Sequence, residues 1–441
     1  MLDISKGAKK ALQMLKDNGY EAYCVGGCVR DMLMGNKAND FDVTTSASPD
    51  EMKEVFSGEC VIETGLKHGT LTVLFDKEPI EITTYRIDGE YKDSRHPESV
   101  TFSKNLRDDL SRRDFTMNAL VYNEKEGVLD LFGGIDDIKN GVIRAIGDPQ
   151  KRFCEDALRI LRAIRFSSTL GFEIEKKTKE AMLKCAHLIS NISAERITSE
   201  LEKLLLGKNV RQVILNHYDI LACLIPELGK MKGFDQHTKW HIYDILEHTA
   251  VAVESAPKIP HLRLTMLLHD TGKVYSFTRD ENGAGHFYGH GEKSAEIAKD
   301  FLAKYKYDNF TAKEVYELVK HHDLYTDEDR VLIKKRLNRM GKERFLDLIK
   351  VQRADNMAQN PVYTKLEHFD ILEEMAEQIL NEECFDLSSM KINGKDLIAL
   401  GIPAGKEIGN ILSMLLSEVI EERIPNEKNV LLKRAQEMKN G

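Results

Sequence analysis

The stretch from Val25 to Thr44, VGGCVRDMLMGNKANDFDVT, constrains the chain more than any other. The apolar run Ala22-Tyr23-Cys24-Val25 predicts a strand. It ends at Gly26-Gly27, and the amphipathic segment Val29 to Met34 predicts a helix directly after the turn. Glycines at such a junction let backbone N–H groups approach a phosphate, because no Cβ intervenes. Arg30, in the first turn, adds a charged donor. After Gly35 a second strand is expected to carry Asp40-Phe41-Asp42. Strand side chains alternate faces, so Asp40 and Asp42 point one way and Phe41 points into the core. Two adjacent carboxylates repel, and a shared pair of divalent cations is the usual reason to build them so. Taken singly, a Gly-Gly pair reads as a tight turn and an Asp-x-Asp as a solvated face. Their order and spacing carry the argument.

In that order, G-G-x-V-R-D-x-L-x-G followed by D-F-D resembles the nucleotidyltransferase signature of the polymerase-β superfamily. The variant is similar to the class II (bacterial-type) tRNA nucleotidyltransferases, or CCA-adding enzymes, and to their poly(A) polymerase relatives. Composition neither requires nor forbids this. At 441 residues the chain needs more than one core. Its 42% apolar and 31% charged residues suit a globular protein. The net charge of −9 does not itself suggest a nucleic-acid binder, although a local basic surface can coexist with acidic domains. No apolar run reaches membrane-spanning length. The amphipathic N-terminal segment, with Leu12 and Leu15 on its apolar side, lacks the apolar core of a signal peptide. Seven cysteines without a C-x-x-C pair fit reduced thiols, so a cytoplasmic location is expected.

Further along, a helix is expected over 50–57, then strands at Val61-Ile62, Thr70–Phe75 and Glu81–Arg86, the last two forming a hairpin around Asp76 to Pro79. The polar stretch Ile87 to Pro97 is long enough to be functional or disordered, and it resembles the flexible loop of CCA-adding and A-adding enzymes. Next, Arg112-Arg113-Asp114-Phe115-Thr116-Met117-Asn118-Ala119 matches the family's R-R-D-F-T-x-N-A motif. Adjacent arginines and an Asn suit the fixed acceptor oxygens of a triphosphate and a ribose. Asp130 to Gly134 predicts a closing strand and turn.

A helix is expected from Phe153 to Phe166, with Glu155 and Arg159 at i, i+4 and Asp156 and Arg159 at i, i+3. One reading is a surface helix with ion pairs. The other follows from base chemistry. Cytosine and adenine each present an amino donor beside a ring-nitrogen acceptor, which a carboxylate and a guanidinium complement. Uracil and guanine reverse that order and would leave buried groups unpaired. Glu155-Asp156-x-x-Arg159 is similar to the family's nucleotide-selecting motif, and the resemblance adds Arg162 to the nucleotide-binding set. Helices continue from Thr178 to about Lys232, and Glu195 to Leu205 is like the family's neck segment.

Between 235 and 360 the pattern His248, His269-Asp270 and Asp355 resembles the HD metal-dependent phosphohydrolases. The resemblance implies a divalent metal on those four residues. His290, His321, His322 and Asp323 are candidates for phosphate or second-metal contacts. Mixed imidazole and carboxylate ligation suits Mn, Ni, Co, Fe or Mg without choosing among them. The tail carries Gly-rich turns, at Gly394 and at Gly401 to Gly405, that open helices and could touch a phosphate backbone.

The expected architecture is α+β: a polymerase-β-like head (1–147), a helical neck and body (148–234), an HD domain (235–360) and a helical tail (361–441). The resemblance implies two Mg²⁺ on Asp40 and Asp42. It implies nucleotide contacts from Gly26, Gly27, Arg30, Arg113, Asp114, Asn118, Glu155, Asp156, Arg159 and Arg162. Its implied substrates are CTP, ATP and the tRNA 3′ end, with the acceptor and elbow held elsewhere on the protein. Rival readings are an A-adding enzyme, a poly(A) polymerase, and a phosphohydrolase whose head merely binds RNA. Oligomeric state leaves no mark in the sequence.

Overall fold

The computed structural model describes residues 2–38, 40–89 and 100–440. The chain divides into two compact units, Met1–Pro226 and Glu227–Gly441.

The first unit opens with helix α1 (Lys6–Asp17), capped by the Ser5 hydroxyl and burying Leu12 and Leu15 as expected. Strand β1 (Ala22–Val25) leads through Gly26 into α2 (Gly27–Leu33). β2 (Asp42–Thr45) and α3 (Pro49–Val55) follow, with a Ser48/Glu51 capping box starting α3. Then come β3 (Cys60–Ile62), β4 (Thr70–Phe75), β5 (Glu78–Thr84), the two-stranded ribbon β6 (Arg86–Asp88) with β7 (Val100–Phe102), α4 (Leu106–Ser111), β8 (Leu120–Asn123), β9 (Gly127–Asp130) and α5 (Gly134–Asn140). Seven strands form one mixed sheet in the order β3-β4-β5-β2-β1-β8-β9. β2 runs parallel to β5 and antiparallel to β1. The main core lies between α1, α2, α3 and this sheet, around Leu15, Val29, Phe41, Val43, Met52, Val73 and Ile82.

Two expectations change in detail. The β4–β5 turn is only Asp76-Lys77, with φ of 49° and 74°. Positive φ at both central residues is what a type I′ two-residue hairpin turn requires. Glu78 and Pro79 therefore belong to β5 rather than to the loop. The Pro is tolerated because β2 pairs only with Glu81 to Thr84, leaving that side of β5 open at Pro79. Likewise β2 begins at Asp42, and Asp40 sits in a bend just before it. The alternation survives: Asp40 and Asp42 are exposed and Phe41 is buried. Of the polar loop expected over 87–97, residues 90–97 lie outside the described residues.

The remainder of this unit is helical apart from the paired strands β10 (Val142–Ile143) and β11 (Glu173–Ile174). Its helices are α6 (Pro149–Glu155), α7 (Leu158–Leu170), α8 (Lys176–Cys185), α9 (Ala194–Leu205), α10 (Val210–Asn216) and α11 (Tyr218–Leu221). The single helix expected through Phe153–Phe166 is broken. The Asp156 backbone is extended rather than helical. Its side chain accepts a hydrogen bond from the Leu158 N–H at 3.1 Å. Asp156 thus caps α7 instead of continuing α6.

The second unit comprises α12 (Glu227–Met231), α13 (Ile245–Ser255), α14 (Pro260–Leu268), the turn α15 (Lys273–Ser276), α16 (His290–Lys304), α17 (Asn309–His321), α18 (Arg330–Met340), α19 (Lys342–Met357), α20 (Leu366–Glu382), α21 (Gly394–Ala399), α22 (Lys406–Ile420) and α23 (Lys428–Asn440), plus a short two-stranded ribbon. The last three helices share their own core, with Leu397, Leu415 and Leu431 fully buried. Among the described residues no helix is long and apolar enough to cross a membrane. All seven cysteines are free.

Candidate active sites

In the head the glycine turn is a conformational requirement. Gly26 has φ 82°, a backbone conformation that residues with a Cβ rarely adopt. A Cβ built there would also stand 3.3 Å from Arg113 Nη1. The Arg113 guanidinium therefore lies against the bare backbone of the turn. Its Nη2 reaches Asp109 Oδ2 at 3.3 Å, while Arg112 Nη2 holds Asp109 Oδ1 at 2.6 Å. Thr44 Oγ1 donates to Asp109 Oδ2 at 3.1 Å. Asp109, fully buried, thus ties the arginines to the strand that carries Asp42. Burial works to raise its carboxyl, but the Arg113 and Arg112 charges outweigh that and hold it low. Sequence reading missed Asp109. Its only signal was an acid three and four residues before two arginines.

A second chain of contacts starts at buried Arg30. Its Nη1 donates to Asn118 Oδ1 at 2.7 Å. Asn118 Nδ2 donates to Asp114 Oδ1 at 3.1 Å, and Arg162 Nε donates to Asp114 Oδ2 at 2.7 Å. Burial pushes the Asp114 carboxyl up, yet Arg162 and the Asn118 hydrogen bond bring it down to about 2. Arg30 also lies over the Phe166 ring, 5.0 Å from its centre, and Arg162 lies 5.5 Å from the same centre. Four of the expected residues are therefore one hydrogen-bonded unit: Arg30, Asn118, Asp114 and Arg162.

Asp42 meets solvent at the edge of this basic wall, but the surrounding protein still desolvates it. That desolvation, with Glu81 and Asp40 nearby, raises its carboxyl, and Arg113 opposes the shift. Glu81 faces Asp42 across the β2–β5 register. Sequence reading passed over it because only pairing in the sheet brings the two together. Carboxylates kept close and unneutralised fit a divalent cation, so Asp40 and Asp42 suit the metals expected of them.

Glu155, Asp156 and Arg159 come together less simply. Arg159 Nη1 contacts Glu155 Oε2 at 3.1 Å, and its Nη2 donates to the Arg112 carbonyl at 2.8 Å. Asp156 does not pair with Arg159. Its Oδ2 accepts from Arg196 Nη2 at 2.8 Å. The break between α6 and α7 removes the shared helical face that i, i+3 spacing implied, and Arg196 in the neck becomes its partner.

In the second unit the four expected metal ligands converge. His248 lies on α13, His269 and Asp270 follow α14, and Asp355 lies on α19. Their ligand atoms all fall within 4.8 Å of one another, as do those of a second group, Asp270, His290 and His322. Both groups of three or more ligands found among the described residues are in this unit. His321 turns aside to Glu317, 3.6 Å away, and Asp323 is half exposed at the rim. Lys273, unassigned from sequence, places Nζ 2.7 Å from Asp270 Oδ2 and donates to Gln236 Oε1 at 2.9 Å. Burial works to raise Asp270, but the charges around it, His269 and Lys273 foremost, hold it well below the carboxylate range. Both Asp270 oxygens are buried without an aligned hydrogen bond. Imidazoles and a buried, unsatisfied carboxylate are a donor set that fits a divalent metal.

Fold and sites together define a polymerase-β-like nucleotidyltransferase with a helical second unit. Three family models match: "Poly A polymerase head domain" over residues 22–144, "Probable RNA and SrmB- binding site of polymerase A" over 171–231, and tRNA nucleotidyltransferase domain 2 over 288–435. The CCA-adding enzyme of Lactobacillus helveticus is 33% identical over 437 residues, covering 99% of this chain and 98% of that one. The CCA-adding enzyme of Lactococcus lactis subsp. lactis is 34% identical, with 98% and 97% covered. The crystal structure of the Bacillus stearothermophilus CCA-adding enzyme in complex with CTP is similar with a TM-score of 0.71 and 29% identity, covering 98% of this chain and 97% of that one. The chain belongs to the CCA-adding enzyme family, and it is a nucleotidyltransferase.

Proposed function

We propose that this enzyme adds the terminal C, C and A to the 3′ end of tRNA, using CTP and ATP, in its first unit. The observation that carries this reading is Asp42 set beside Arg113, whose guanidinium lies along the Gly26 turn. An acid suited to the reacting end thus stands near a cation suited to the phosphates. The CTP complex of the Bacillus stearothermophilus relative supports it. In the reaction the 3′-hydroxyl oxygen bonds to the α-phosphorus, the bond to the β-phosphate oxygen breaks, and pyrophosphate leaves. Two Mg²⁺ held by Asp40 and Asp42 would supply Lewis-acid charge to the attacking hydroxyl and the triphosphate. Gly26 and Gly27 let the backbone approach the phosphates, and Arg113 adds a charged donor. Arg30, Asn118, Asp114 and Arg162 form a rigid wall for sugar and phosphate. Glu155 and Arg159 are already ordered. Asp156, released from Arg196, would accept from the amino group that cytosine and adenine share, while Arg159 donates to the ring nitrogen.

The deciding assay uses tRNA lacking its CCA end, given CTP and ATP separately and together. Two additions from CTP alone and a third only with ATP are expected. An enzyme that extends only tRNA already ending in CC would be A-adding, and unlimited A addition would mark a poly(A) polymerase.

A second reading concerns the second unit, carried by the convergence of His248, His269, Asp270 and Asp355. We infer a metal-dependent phosphohydrolase that acts on 2′,3′-cyclic phosphates and phosphomonoesters at RNA ends and clears them before addition. When bound there, a divalent ion would supply the Lewis acid that activates water. Hydrolysis of a 2′,3′-cyclic nucleotide with Mn²⁺, Ni²⁺, Co²⁺ or Mg²⁺ tests this, and failure with all four would leave the cluster without that chemistry. Free thiols and family membership suit a cytoplasmic location.

A further inference from the structure

One buried carboxylate stands behind three working parts of the head. Asp109 lies on α4 with its side chain sealed from solvent. Its two oxygens divide their partners. Oδ1 accepts from Arg112, at 3.0 Å from Nε and 2.6 Å from Nη2. Oδ2 accepts from Thr44 Oγ1 at 3.1 Å and from Arg113 Nη2 at 3.3 Å.

Each partner leads to a different part of the site. Thr44 stands two residues beyond Asp42 on β2 and so shares its face of the sheet. Arg113 lies against the Gly26 turn. Arg112 leads to the base-selecting residues through its backbone, since its carbonyl accepts from Arg159 Nη2 at 2.8 Å. The other hydrogen bonds of Arg159 among the described residues go to the Arg152 carbonyl at 3.2 Å and to Glu155 at 3.1 Å, both on α6. The Arg112 carbonyl is therefore the contact that sets the Arg159 guanidinium against the strand of Asp42. A guanidinium is a planar fork, so a fixed acceptor on one nitrogen sets the direction of the others. Strand β2, Asp109, Arg112 and Arg159 thus form one continuous line from the acid to the base-selecting residues.

We propose that Asp109 is a positioning residue that couples the choice of base to nucleotidyl transfer. Sealed from solvent, it meets neither base nor triphosphate. Through one oxygen it holds Arg113 for the phosphates. Through the other it holds the Arg112 segment that aims Arg159 at the base. A base that seats on Arg159 then brings its α-phosphate into line with Asp42, and one that does not seat stays out of line. The inference rests on the nucleotidyl-transfer reading and deepens it, placing a determinant of C and A over U and G outside the base pocket.

The test is a ratio. The full chain is given tRNA lacking its CCA end with CTP or UTP, and tRNA ending in CC with ATP or GTP, and kcat and KM are measured for each. Asp109→Asn keeps the side-chain volume but removes the charge that pairs both arginines. Its preference for CTP over UTP and for ATP over GTP, as kcat/KM, should shrink by about tenfold. Arg112→Met cuts the line toward Arg159 and should shrink both ratios as much. Arg112→Lys, which keeps a cation for Asp109, should restore most of them. Thr44→Val cuts the line toward β2 and should lower kcat for all four nucleotides with the ratios unchanged. A merely structural role would lower the melting temperature and the folded fraction, and so scale all four nucleotides alike. Ratios that stay at the wild-type value in Asp109→Asn and Arg112→Met overturn the inference and leave nucleotidyl transfer standing. If Asp109→Asn does not fold, the Arg112→Met ratios decide it in the same way. Wild type that incorporates neither CTP nor ATP overturns both.

Discussion

In the head the two acids that matter most are exposed, whereas in the second unit their counterparts are sealed. Asp40 and Asp42 face solvent at the start of β2, and the order around them lies in the basic wall behind. Asp270 is 1% exposed, and His248, His269, His290 and His322 around it are each locked by a backbone carbonyl contact. The difference matches what each site is proposed to admit. A triphosphate arrives with its own charge and its own metal affinity, so the head needs a rigid cationic cradle and two open carboxylates. A resident transition metal needs preset ligands and a fixed outer shell, or its affinity falls.

The sharpest way to break this comparison is a pair of variants. Asp42→Asn should lower incorporation of both CTP and ATP by a thousandfold or more, on the order of 4 kcal/mol in the transition state. It should leave cyclic-phosphate hydrolysis unchanged. Asp270→Ala should do the reverse. If either variant loses both activities while its circular dichroism stays native, the two sites are not independent.

Next in size is the rigidity of the head wall. Asp114→Ala strips Arg162 and Asn118 of a buried partner and should cost about 3–5 kcal/mol of stability in chemical denaturation. Because the folded carboxyl lies near 2 against 3.8 unfolded, its contribution is complete above pH 3.8 and is lost as pH falls through about 2. The gap between wild type and variant should hold from neutrality to about pH 4 and narrow below. A gap that is flat to pH 2 would mean that packing, not the ion pair, holds the wall.

The head wall was legible in the sequence as residues but not as a structure. The R-R-D-F-T-M-N-A run named Arg113, Asp114 and Asn118, yet nothing in it said that Asn118 bridges Arg30 to Asp114. Those partners are 88 and 4 residues away. Asp109 and Glu81 escaped because their roles arise from burial and strand register, which a linear pattern does not carry. The α6–α7 break escaped for a local reason. Asp156 competes for the backbone as a cap, and apolar periodicity is blind to that. The second unit's candidate ligands were legible as residues because a metal set draws on few residue types. The pairing of His290 with His322 needed two helix ends to meet.

That break in the helix bears on the third prediction. Asp156 is held by Arg196, so the base selection proposed for it requires an exchange of partners. Asp156→Ala should lower kcat/KM for CTP and ATP by about tenfold to a hundredfold, the cost of roughly 1–3 kcal/mol for an unpaired amino donor. UTP and GTP should change less. If all four nucleotides fall equally, Asp156 serves only to fasten the neck through Arg196.

The smallest effect tests the electrostatic contrast directly. With no metal present, the folded head raises the Asp42 carboxyl, so ionised Asp42 works against folding. Below pH 3.8 the group is protonated folded and unfolded, and the penalty vanishes. As pH rises through the folded value the penalty sets in. Metal-free Asp42→Asn should therefore melt slightly above wild type at pH 7, by less than about 1 kcal/mol, and match it near pH 3. Saturating Mg²⁺ should raise the wild type more than the variant, since the Asp42 carboxylate gains from binding. Asp270→Asn should have the opposite sign. Lys273 pairs with Asp270 at 2.7 Å. Removing that charge strands a buried ammonium, so this variant should melt below wild type even without metal. Equal signs for the two substitutions would show that exposure does not separate the sites energetically, whatever their geometry.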